Sequence, residues 1–118
     1  MKRNYGIILA AIAIVTGTAL AALNANEQSE AKAIYTMHCA MCHGQDGKGE
    51  TPIGKKFQIP DLHSAAVQTK SDAELTEIIE NGKQKMPAFK SSLKPEQVKD
   101  LVEFVKAMGK TAPPSTKK

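Results

Sequence analysis

The chain predicts an all-α domain between residues 26 and 110. Three stretches place apolar side chains at the i, i+3, i+4, i+7 intervals of one helical face, helix start and stop signals punctuate them, and no convincing run of alternating apolar and polar residues marks a strand.

Residues 1–25 stand apart from this domain. Met1, Lys2 and Arg3 precede the unbroken apolar run from Ile7 to Val15, a Thr16-Gly17-Thr18 break and an Ala-rich stretch to Ala25, the order of a secretory signal peptide. A cut after Ala21 or Ala25 would release the domain, whereas retention of residues 6–23 would leave an uncleaved N-terminal membrane anchor. The shortness of the apolar run favours cleavage. Either way, Lys2 and Arg3 hold the N-terminus on the cytoplasmic side and send the remainder across, so the domain is expected to be exported, to the periplasm or the outer face of the cytoplasmic membrane. It meets a membrane only if the anchor is kept.

The first helix is read at about residues 27–38, with Asn26 as N-cap and Ala31, Ile34, Tyr35 and His38 on its buried face. It delivers the chain to Cys39. Residues 44–70 form a long connection rich in Gly, and a loop of that length in so small a domain needs something to wrap around. The second helix begins at Ser71, where Ser71 and Glu74 form a capping box, turns Leu75, Ile78 and Ile79 to one side, and stops at Asn81-Gly82. The third has Pro95 in its first turn, carries Val98, Leu101, Val102, Val105 and Met108 on one stripe, and ends near Gly109. Lys94 stands where its cap should be Ser, Thr or Asp. The tail 111–118, with Pro113-Pro114 and two terminal Lys, is predicted to be disordered.

Composition bounds the function. Beyond residue 25 the chain holds 14 Lys, no Arg and 12 acidic residues, too even a balance for a nucleic-acid binder, and two Cys are too few for a disulfide scaffold. Between Glu27 and Lys110 only 21 residues are Val, Ile, Leu, Met, Phe or Tyr. That is near the lower limit for a chain folding without a staple, metal or cofactor.

Both cysteines lie in Cys39-Ala40-Met41-Cys42-His43, a C-x-x-C-H pentapeptide in an exported chain. Two thiols three residues apart on a turn can each add to a vinyl group of one haem, and the adjoining His43 then reaches the iron from one side. The competing readings are a local disulfide, a thioredoxin-type pair and a zinc site. A thioredoxin motif should follow a strand, and zinc wants two more ligands at finger-like spacing, which only His38, His43 and His63 could supply.

The occupant of the sixth iron position decides the use of such a haem: a thioether gives electron transfer, an open site gives ligand chemistry. Met86 is the strongest of five methionines, because it lies in the loop 82–87 between two helices with Pro87 stiffening the backbone beside it. The alternatives are a gap-filling role for Met86 and ligation by His63.

Taken in order, Tyr35, Cys39-x-x-Cys42-His43-Gly44, Asp46-Gly47-Lys48-Gly49, Pro60-Asp61-Leu62, Asn81-Gly82, Met86-Pro87-Ala88-Phe89 and the 98–108 helix resemble a small bacterial class I cytochrome c. The resemblance covers residues 27–109. It implies three to five helices wrapped around one covalently attached haem c, thioether bonds from Cys39 and Cys42, and His43 and Met86 as axial iron ligands. It further implies that the first and last helices cross near Ala31, where relatives often have Gly, and that Phe104 is the last helix's aromatic. The Pro60 carbonyl would accept the Nδ1–H of His43, and Leu62, Phe57, Ile78, Ile79 and Phe89 would pack on the porphyrin. The function implied is one-electron carriage between respiratory or dehydrogenase partners, with no enzymatic activity. A labile Met86 would instead open the iron to peroxidase-like or gas-binding chemistry. Residues 81–99 carry five Lys against Glu96 alone, while 71–80 carry four acidic residues and no Lys, so redox partners with acidic docking surfaces would be steered to the Met86 loop.

Overall fold

The computed structural model describes residue 23 and residues 25–111. The predicted signal or anchor lies almost wholly outside the described residues, as do residues 112–118 of the predicted tail. Among the described residues the chain is helical and has no strand: α1 (25–38), α2 (Ala40–His43), α3 (Pro52–Phe57), α4 (Ala65–Gln68), α5 (Asp72–Asn81) and α6 (Pro95–Thr111). None of these helices is long and apolar enough to cross a membrane.

The long helices are those expected from periodicity. On α1, Ala31, Ile34 and Tyr35 are buried as predicted, but His38 is exposed. The apolar face has left the core by the last turn, and the His38 ring stands edge-on to Phe89, 6.1 Å between centroids. On α6, Val98, Leu101, Val102 and Val105 are buried, and α6 packs against α5 through Leu75. The α1/α6 crossing is made by Tyr35 and Phe104, whose rings lie 5.2 Å apart, beside a cleft of about 250 Å³ lined by Glu27, Ala31, Asp100, Glu103 and Ala107 among others.

Asn26, expected as the N-cap of α1, lies within the helix, and the two ends of α6 hold further detail. Lys94 is a poor cap, and its backbone N–H is met by the Gln97 side chain at 3.0 Å, half of a capping box. At the other end α6 runs on through Gly109 to Thr111. Gly109 lies within the helix, and the Gln68 side chain packs directly on it where a Cβ would stand. Gln68 Nε2 donates to the Leu62 and Val105 carbonyls at 2.7 and 2.9 Å, and Lys106 Nζ donates to the carbonyls of Gln68 and Lys70. The 62–70 segment is thereby clasped to α6.

The connection 44–70 also contains two short helices that periodicity missed. The first, α3, has Thr51 as N-cap, accepting from Gly54 N at 2.8 Å, and Pro52 at its first position. Neither α3 nor α4 is long enough to show an apolar period.

Candidate functional site

The C-x-x-C-H pentapeptide forms the single turn α2, continuing directly from α1 through the Cys39 N–H, which donates to Tyr35 O at 2.9 Å. One turn places Cys39, Cys42 and His43 together, all half-buried. The three carbonyls that follow are each held from a different direction. Thr51 Oγ1 donates to Cys42 O at 2.9 Å, Gly49 N to His43 O at 2.7 Å, and the buried Tyr35 hydroxyl to Gly44 O at 2.7 Å. Gly54 lets α3 close against this turn, since a Cβ there would lie 2.6 Å from Cys42 O and closer still to Gly49 O. The pentapeptide is thus clamped by α1 on one side and by α3 with its preceding loop on the other.

Burial sets the protonation states. Desolvation, helped by the neighbouring Cys42, pushes the Cys39 thiol up to about 11, so it is a neutral thiol at neutral pH. Desolvation lowers His43 and keeps its imidazole neutral, the form that ligates metals. The Tyr35 hydroxyl is raised by burial and by its proximity to Cys39 and Asp46, and remains a donor.

Met86 is half-buried and is held by a tight hairpin turn. Lys83 N donates to Met86 O at 3.2 Å and Met86 N to Lys83 O at 2.9 Å, with Gln84 at φ 54° between them. Gly82 has φ 76°, and a Cβ there would meet Met86 O at 2.6 Å, so only glycine lets α5 end against this turn. Beyond Pro87 the chain is tied back to α5, Phe89 N to Ile79 O at 3.0 Å and Lys90 N to Glu80 O at 3.1 Å. The loop meets the attachment region at two places: Phe89 against His38 at the end of α1, and Lys85 Nζ over the Phe57 ring at the end of α3, 5.9 Å from its centroid.

The other sulfurs are placed elsewhere. Met37 and Met41 are 75% and 72% exposed, and the Met108 sulfur lies against Gly47. His63 is engaged by Asp61, whose Oδ1 is 2.7 Å from the ring Nδ1 and accepts from the His63 backbone N–H at 2.8 Å. Burial pushes the Asp61 carboxyl up, but these bonds and Lys48 outweigh it and hold it below the ordinary range.

No hydrogen bond joins the Pro60 carbonyl to His43 Nδ1, which is buried and has no hydrogen-bond partner among the described residues. The segment is held instead by Ile59 N to Gly54 O at 2.9 Å and Leu62 N to Gly47 O at 2.8 Å, and Pro60 itself is exposed. Phe57, expected on the porphyrin, is 42% exposed. Sequence reasoning overlooked the hydroxyls of Tyr35 and Thr51 as clamps, although Thr51-Pro52 is a legible helix start.

Two free thiols and a neutral imidazole on one turn define a site for a covalently linked metal cofactor. Among the described residues no group of three or more His, Cys, Asp or Glu side chains comes together to hold a bare metal ion. Comparison with known proteins agrees. The family model described as cytochrome c oxidase, cbb3-type, subunit III matches residues 26–105. A cytochrome c6 from Nostoc sp. (strain PCC 7120 / SAG 25.82 / UTEX 2576) is 35% identical over 106 residues, covering 89% of this chain and 92% of that protein. The cbb3-type cytochrome c oxidase subunit FixP of Rhizobium etli is 36% identical over 81 residues, 66% of this chain but 26% of that longer protein. Among solved structures, the KustC0563 c-type cytochrome aligns with a TM-score of 0.61 and 35% identity, covering 65% of this chain and 94% of that one. The chain belongs to the cytochrome c family, as a small class I monohaem cytochrome c. Its cofactor is one covalently bound haem c, and it is a c-type haem electron carrier. The residues present fit that group: two unpaired thiols, and a desolvated imidazole with an orphaned Nδ1, on a turn where the carbonyls of Cys42, His43 and Gly44 are each tied down.

Proposed function

We propose that this cytochrome shuttles single electrons between partner proteins outside the cytoplasm, with Cys39 and Cys42 in thioether linkage and His43 and Met86 as the axial ligands. When bound, the haem supplies the one-electron Fe(III)/Fe(II) couple. The chain's own residues hold the ligand set in place so that little rearranges between the two states. α2 and its three tethered carbonyls fix His43, and burial keeps its ring neutral. The hairpin 83–86 fixes Met86.

The observation that carries this reading is the hairpin. A methionine meant only to fill a gap needs no such frame, whereas this one is bonded across the turn, seated on Gly82 and tied to α5 on its far side. A thioether carried on a backbone so tied would occupy the sixth position, which disfavours binding of small ligands or peroxide and makes the protein a carrier rather than a catalyst. Lys83 and Lys85 on the same hairpin put positive charge beside the ligand loop, so the partners present acidic surfaces and association slows as salt rises.

The test is an optical spectrum of the holoprotein, oxidised and then reduced. Wild type should show the weak far-red iron–sulfur band in the oxidised form and no change on adding carbon monoxide to the reduced form. Met86→Ala should keep the haem, lose the band and gain a carbon monoxide response. If Met86→Ala leaves the band in place, Met86 is not the ligand.

A further inference from the structure

Gln68 makes more bonds than its place in a four-residue helix requires. Its Nε2 donates to Leu62 O at 2.7 Å and to Val105 O on α6 at 2.9 Å, and its own carbonyl accepts from Lys106 Nζ at 3.0 Å. The same side chain accounts for a glycine. Gly109 lies inside α6 without a positive φ, a place where glycine weakens a helix relative to alanine. A Cβ there would fall 2.3 Å from Gln68 Cδ and Oε1, and the nearest atoms it would meet all belong to Gln68. The surface of α6 is cut away where this amide enters.

From Gln68 a line of contacts runs to the attachment turn. Leu62, whose carbonyl the amide holds, is buried and donates its N–H to Gly47 O at 2.8 Å. Gly47 N donates in turn to Gly44 O at 3.1 Å, the carbonyl that also receives the Tyr35 hydroxyl, and Gly44 adjoins His43. Side chains follow the same line. At Gly47, where φ is 75°, a Cβ would meet Met108 Sδ at 2.8 Å and Leu62 Cβ at 3.4 Å, so α6 and the 62–70 segment both lie against the loop that leaves His43.

Groups beyond the ligands orient a ligating ring, and solvent exposure tunes the potential of the iron. We infer that Gln68 is a positioning residue for the histidine iron ligand: it fixes Leu62 and Gly47, through them the loop 44–49 that follows His43, and thereby the reduction potential. Loss of the amide frees Leu62 and admits water beside the cofactor. Polar surroundings stabilise the more highly charged Fe(III), so the potential falls. This rests on the proposed ligation by His43 and on Leu62 lining the porphyrin as the family resemblance implies, and it adds a residue that acts on them from outside the ligand set.

The experiment reads the reduction potential of the holoprotein by voltammetry and its backbone amide exchange by NMR. Gln68→Met keeps the length of the side chain and removes the donors. Gly109→Ala places a methyl group where the amide packs while raising the helix propensity of α6. Each should move the Fe(III)/Fe(II) ratio at a fixed potential at least about twofold towards Fe(III), a fall of about 18 mV at about 59 mV per tenfold change. Each should also speed exchange at the amides of Leu62, Gly47 and Gly49 at least about fivefold. Thr69→Val removes the bond from Thr69 Oγ1 to Ala65 O at 2.7 Å beside the same short helix, and as the control it should lower the thermal midpoint with the potential unmoved. Unchanged potentials in Gln68→Met and Gly109→Ala overturn the inference, as does an equal fall in Thr69→Val or a fall without faster exchange at those three amides. If Gln68→Met does not fold, Gly109→Ala decides alone. Absence of hyperfine-shifted histidine resonances from the oxidised wild type refutes the ligation by His43 itself, a failure distinct from that of the Gln68 assignment.

Discussion

Asp100 and Asp61 show how one residue type acquires opposite roles. Asp100 faces the α1/α6 cleft, and burial, then the charges of Glu27, Glu103 and Glu30, raise its pKa above the ordinary 3.8 against a weaker pull from Lys99. The folded protein binds this proton more readily than the unfolded chain, so the carboxyl adds stability as pH falls through its raised pKa and subtracts it as pH rises. Asp100→Asn should therefore raise Tm at pH 7, and the gain should vanish near about pH 3, where both states are protonated. Calorimetry of the holoprotein at the two pH values checks it, and an unchanged Tm at pH 7 would show that the cleft carboxylates are fully screened. Asp61 has the reverse sign. Its lowered pKa gives stability present above the ordinary carboxylate range and lost as pH falls through the lowered value.

Among the elements, α5 is the one whose start and finish bear most directly on the site. Its N-terminus carries the capping box predicted from Ser71 and Glu74, with Ser71 Oγ accepting from Glu74 N at 3.2 Å and Glu74 reaching back to Ser71 N at 2.8 Å. Its C-terminus launches the Met86 hairpin at Gly82. Ser71→Ala should cost about 1 kcal/mol, seen as a lower urea midpoint with an unchanged slope. The far-red band should persist, because the hairpin is tied to the other end of the helix. Short elements behave differently. α5 and α6 are legible because capping residues and apolar stripes are local properties. α3 has a local start in Thr51-Pro52, but its seat depends on Gly54 fitting under the Cys42 and Gly49 carbonyls, and that of α4 on Gln68 bridging to α6, partners that no window of sequence contains.

For the molecule as a whole, the protein core is small. Tyr35, Leu101 and Val98 are its largest fully buried side chains, and several other apolar residues, Ile79 and Phe89 among them, are only partly enclosed. A domain so thinly packed relies on its covalent cofactor for part of its apolar interior. The Cys39→Ala/Cys42→Ala double variant should accordingly show a markedly weaker helical circular dichroism signal than the holoprotein and an uncooperative thermal transition. A cooperative, fully helical apo variant would show that the polypeptide core suffices without the thioether-linked haem.

The all-α class, the attachment pentapeptide, the boundaries of α5 and the apolar stripe of α6 could be read from the linear chain, since each depends on neighbours within a turn or two. The identity of the cofactor was legible too, because thioether attachment demands a contiguous set of residues. Folding alone revealed the rest: the exposure of His38, the continuation of α6 past Gly109, the clamps from Tyr35 and Thr51, and the pairing of Phe57 with Lys85. Each of these depends on which backbone carbonyl or side chain arrives from a distant segment, and that is set by packing around a shared interior rather than by local preference.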